Sequence, residues 1–151
     1  MTLLLQTALI SHVMLGLVGV MAFYAVWLGL LKREPSIPFL KGASLFAFLG
    51  IILSWISGGY YYVVYYGSVT KPIIVGGAYP WAHFIFTETK EHVFLVLPFA
   101  ALVLVALFFV GGGRLLMDPN TKQGAVWLAA ALTILGTFIT FAGIVISGGA
   151  Q

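Results

Sequence analysis

Cysteine is absent from this chain of 151 residues, and charge is nearly so. Without thiols there is no disulfide, thiolate metal site, iron–sulfur cluster or covalently attached c-type haem. Seven basic and four acidic residues are too few to cover the surface of a soluble domain of this length. The net charge of +3 comes from residues in short interhelical segments, so nucleic acid is not an expected partner. The sequence also lacks a nucleotide-binding glycine loop and any nucleophile–base arrangement.

What is present is apolar. Hydrophobic residues make up 62% of the chain, in runs long enough to count as membrane spans, because a helix needs about 20 apolar residues to cross about 30 Å of hydrocarbon. The expected fold is an all-α membrane protein, a single four-transmembrane-helix bundle over 1–151. Its helices are expected at about 3–31, 42–66, 80–110 and 124–147. The first run lacks a basic leader and is too long for a signal peptide, so it is expected to remain as helix 1. Lys32-Arg33-Glu34-Pro35 should end that helix, since a proline disfavours helical backbone at the residue before it.

The second helix should end in a tyrosine cluster, Tyr60 to Tyr66, of the kind expected at a water interface. A polar loop over 67–79 should follow. Pro98 should kink helix 3, Gly111-Gly112-Gly113 should end it, and Asp118-Pro119-Asn120 should lie in a loop over 114–123.

Basic residues suggest an orientation. Lys32, Arg33, Lys41, Arg114 and Lys122 lie on one side, against Lys71 and Lys90 on the other. The positive-inside rule then places both termini outside and the short basic loops in the cytoplasm of a prokaryotic cell membrane.

The two halves share ordered motifs. His12-Val13-Met14-Leu15 parallels His92-Val93-Phe94-Leu95, and Ile56-Ser57-Gly58-Gly59 parallels Ile146-Ser147-Gly148-Gly149. Two repeated helical hairpins about a pseudo-twofold axis are expected from this order. At about 1.5 Å per residue, His12 lies ~28 Å and His92 ~27 Å from the basic ends of their helices. The two imidazoles therefore share a depth near the outer face.

Ionisable side chains at membrane depth usually serve a function, and two neutral imidazoles on either side of a macrocycle suit haem b. Small residues that would give a porphyrin flat walls are Gly16 and Gly19 beside His12, Gly50, Ser54 and Ser57 on helix 2, and Gly136, Thr140, Gly143 and Ser147 on helix 4. The same stripes are also ordinary helix contacts in membranes. Tyr60, Tyr61, Lys71 or Lys90 would then meet the propionates.

Paired transmembrane histidines in so small a bundle resemble the membrane-bound b-type cytochromes, including the small quinol-linked diheme proteins and the copper-resistance-D-like membrane proteins. That resemblance implies one bis-histidine haem on His12 and His92, because three histidines cannot supply the four ligands of two haems. It also implies electron transfer from a quinol to an outer-side redox partner, as a haem-dependent membrane oxidoreductase.

Two alternatives stay open. One is a single transition-metal ion (Cu, Zn or Fe) on Glu88 and His92, which lie at i and i+4 on one helical face, joined by His83, Glu91 and His12, although Glu88-Thr89-Lys90-Glu91 also reads as a solvated helix face. The other is a cofactor-free subunit of a larger complex or homo-oligomer in the lipid bilayer. His83, beside Trp81, reads most simply as an interface residue.

Overall fold

A computed structural model describes all 151 residues and contains helices only. Four continuous helical segments are long and apolar enough to cross a membrane: α1 Leu3–Leu31, α2 Ile37–Gly76, α3 Ala82–Met117 and α4 Pro119–Gly149. They run up and down. The bundle is a ring in chain order, with α1 against α2 and α4, and α3 against α2 and α4. α1 and α3 therefore face each other diagonally. Both chain termini lie at one end, here the termini end. The α1–α2 and α3–α4 connections lie at the other, which carries Lys32, Arg33, Lys41, Arg114 and Lys122 and is here the basic end.

Hydrocarbon supplies no water to satisfy a backbone amide or carbonyl, so each span closes its own hydrogen bonds as a helix. The core is built from one inward stripe per helix, including Phe23, Val26 and Leu30 on α1, Leu40, Ala47 and Ile51 on α2, Leu97, Leu104 and Phe108 on α3, and Ala125, Ala129 and Leu132 on α4. The remaining surface is also apolar, as lipid contact requires. α1 and α2 meet most closely at two glycines: a Cβ on Gly50 would stand 3.1 Å from the Gly19 Cα. Close backbone approach replaces hydrophobic drive as the source of association in lipid.

The helices run past the boundaries expected from sequence. α2 does not stop at Tyr66; it widens into π-helix over Tyr62–Thr70 and continues to Gly76. Its buried Ile74 anchors that extension against Tyr66 and Ala82, in a small second core at the termini end. At 40 residues, α2 is about twice the length a bilayer needs. The expected loop over 67–79 thus reduces to the turn after Gly76.

α3 opens with its own π-helical turn, Ala82–Thr87, and carries Pro98 in its buried interior. A third π-helical turn, Leu107–Gly111, precedes Gly112, whose φ of 51° is the only positive φ in the chain. Glycine at that angle bends the chain without the Cβ clash other residues incur. Helix then resumes to Met117, because Leu115 returns to the core. The expected loop over 114–123 shrinks to one residue, Asp118.

Asp118 caps α4. Its carboxylate accepts from the backbone N–H groups of Thr121 at 3.0 Å and Asn120 at 3.3 Å, and from the Thr121 hydroxyl. Pro119 fills the first helical position, where no N–H is needed. The Thr121 hydroxyl, then the Thr121 and Asn120 amides, hold the exposed carboxyl below the usual carboxylate range. A depressed folded value means the cap stabilises α4 at pH above the ordinary carboxylate pKa and is lost as pH falls through the lower, folded one. Thermal melts in detergent should show Asp118→Ala destabilised at neutral pH, with the gap to the parent closing in acid.

Candidate functional site

The three histidines all lie toward the termini end, but each in a different setting. His12 bridges α1 and α2. Its Nδ1–H donates to the Ser54 carbonyl at 2.9 Å, with the Ser54 hydroxyl 3.0 Å away, and that hydroxyl donates back to the His12 carbonyl at 2.8 Å. The imidazole fills the space left by Gly58, where a Cβ would stand 2.3 Å from Nδ1. Its ring stands nearly perpendicular to that of Phe94 from the diagonal helix, with ring centres 6.0 Å apart.

Phe94 defines the azimuth of α3 at this level. His92 lies two residues earlier, roughly 200° around the helix from it, and is exposed. Its Nδ1–H donates to the Glu88 carbonyl of its own helix at 2.6 Å. The two imidazoles share a depth but not a direction, and Phe94 occupies the interior position between the diagonal helices.

Neighbouring helices fill the small-residue stripes. Gly16 faces Ser54, Gly19 faces Gly50 and Ile51, and Gly143 faces the Lys90 ammonium. Ser57 donates to carbonyls of its own helix at Leu53 and Ser54. Ser147 is exposed. These residues do not fit a bis-histidine haem: no slot with imidazoles on both sides exists between α1 and α3. The repeated motifs also make unlike contacts, since Gly58 covers His12 whereas Gly148 has nothing within 4 Å of where its Cβ would be.

The most developed polar cluster lies elsewhere, where the π-helical part of α2 packs against that of α3. Tyr66 Oη is 3.0 Å from His83 Nδ1 and 2.8 Å from Thr87 Oγ1, and all three residues are buried. The Thr87 hydroxyl donates to the Ala82 carbonyl, five residues back along the widened turn, at 3.2 Å. Each hydroxyl has one proton to give. With the Thr87 proton on Ala82, Tyr66 donates to Thr87 and His83 Nδ1–H donates to Tyr66. His83 Nε2 is then a bare lone pair, and it is buried without a hydrogen-bond partner.

Lys71, Glu88 and Glu91 are the charged residues in the wider neighbourhood of His83. Glu91 Oε1 is likewise buried and unpartnered. Tyr62 stacks on Tyr66 with ring centres 5.1 Å apart. No group of three His, Asp or Glu side chains is placed to hold a metal ion, so His83 Nε2 stands as a single available ligand.

These positions correct two expectations. His83 is 2% exposed, so it is packed inside the protein and does not stand free beside Trp81. The Glu88–Glu91 stretch is only half solvated: Glu88 and Thr89 are exposed, whereas Lys90 and Glu91 are partly covered. Tyr66 and Thr87 carried no singular signal in the sequence. The one available hint was the spacing of His83, Thr87 and Glu91 at successive steps of four.

The unlike packing of the repeated glycines is testable by denaturation in detergent. Gly58→Ala should cost about 1–3 kcal/mol by overpacking against His12, and His12→Ala in the same chain should recover part of it. Gly148→Ala should fall within about 1 kcal/mol of the parent, on the stabilising side.

No family model, curated protein or solved structure matches this chain.

Proposed function

We propose that this integral membrane protein reversibly binds a divalent transition-metal cation at the termini end, with His83 Nε2 as the anchoring ligand and a carboxylate of Glu88 or Glu91 brought to it when the ion binds. One observation carries the reading: the Nε2 lone pair is buried and unpartnered while the opposite ring nitrogen is held by Tyr66. Metal-binding imidazoles are commonly fixed in this way, with the second nitrogen donating to a neighbouring acceptor that sets tautomer and orientation. Imidazole with carboxylate suits zinc, copper or non-haem iron.

The openness of the cluster favours exchange over a permanent structural ion. With one anchoring imidazole, most coordination positions fall to water or an incoming group. A basic end in the cytoplasm, as the positive-inside rule favours, puts the site on the outer side. The protein would then take up or hand over metal ions there. A proton and a metal ion compete for the same lone pair, so affinity should rise with pH across the imidazole range.

Competition between the detergent-purified protein and a chromophoric zinc chelator tests the reading. One zinc per chain is expected, lost in His83→Ala and weakened about 10- to 100-fold in Tyr66→Phe. His12→Ala and His92→Ala should bind as the parent does. Zinc binding that survives His83→Ala would overturn the site, and a parent that holds no metal would leave a structural subunit as the reading. A Soret band abolished by both His12→Ala and His92→Ala would restore the electron-transfer reading.

A further inference from the structure

The basic end carries a groove unrelated to the histidine cluster. Its volume is about 530 Å³, and its walls are Val103, Leu107 and Val110 on the outer face of α3. Arg114 and Leu115, with Thr121 of α4, complete its lining at the basic end. Three features already described create it. The π-helical turn Leu107–Gly111 widens α3, Gly112 redirects the chain, and the following turn carries Arg114 beside the start of α4.

We infer that this groove is a binding site for an anionic phospholipid, with an acyl chain along α3 and the phosphate on Arg114. From Val103 the groove runs along the last turns of α3 to Arg114 at the basic end, so it lies within the leaflet whose headgroups meet that end. The wall side chains are open to lipid, Val110 being 89% exposed and Val103 52%. Apolar at its depth and cationic at its mouth, the groove matches the polarity of a phospholipid from tail to head.

The charges at the mouth select an anionic headgroup. Arg114 is exposed, and a guanidinium matches a phosphate with paired donors. Asp118, the acidic residue nearest to it in sequence, has its carboxylate committed to the cap of α4. Lys41 lies 5.3 Å over the ring of Phe109 and brings a second cation to the same end of α3. Basic pockets at the cytoplasmic ends of transmembrane helices recognise anionic headgroups by this means.

Native mass spectrometry of the protein released from vesicles of equal phosphatidylglycerol and phosphatidylcholine tests the site. The parent should retain phosphatidylglycerol in preference to phosphatidylcholine. Arg114→Gln should lower that retention at least about five-fold, the factor one basic residue contributes near an anionic lipid surface. Val110→Trp, which fills the groove but keeps the charge, should lower it as well. Lys32→Gln removes a basic residue from the same end outside the groove and should leave retention unchanged. Equal retention of the two lipids, an equal loss in Lys32→Gln, or full retention in Val110→Trp would each overturn the inference.

Discussion

Every polar group placed in hydrocarbon must find its partner inside the protein, and the architecture follows from that constraint. It makes each span a helix, and it governs the side chains as well. Thr133, Thr137 and Thr140 each return their hydroxyl proton to a carbonyl four residues back on α4, at 2.8–2.9 Å. Ser54 and His12 satisfy each other across α1 and α2. Polar atoms that escape this rule stand out, and His83 Nε2 and Glu91 Oε1 are the two that do so while fully buried.

The π-helical turns connect that constraint to the site. A π turn shifts the backbone bond from four residues to five. The Thr87 hydroxyl reaches the Ala82 carbonyl five residues back, and with that proton so placed the Tyr66 and His83 bonds run in one direction, with no proton on Nε2. The extension of α2 to Gly76 and the early start of α3 supply the two surfaces that enclose the cluster. The third π turn serves the opposite end, where it opens the groove beside Arg114. Irregular helix thus marks both places where this chain departs from a plain bundle.

The sequence disclosed helices well and azimuths poorly. Four apolar runs of adequate length could only be spans, and α1 has the expected bounds. The later boundaries moved because glycine-rich stretches are ambiguous: Gly67 and Gly111-Gly112-Gly113 read as breaks, yet Ile74 and Leu115 gain enough burial to carry the helix past them. Residue counting gives His12 and His92 equal depth, but it reports height along a helix and not the side toward which a residue points. Gly58 and Gly148 hold matching places in matching motifs, yet only one of them meets a histidine.

Composition and pattern alone determined that this is an all-helical chain with four spans, no thiol chemistry and its basic residues mostly at one end. Those properties are sums over many residues, so no single contact alters them. Tertiary structure decided which of three histidines is enclosed, that Phe94 and not His92 meets His12, and that a tyrosine from a presumed interfacial belt orients His83. Each depends on the rotation of one helix against another. Side-chain packing and the register of three π turns set that rotation, and neither leaves a period in the sequence that counting can recover.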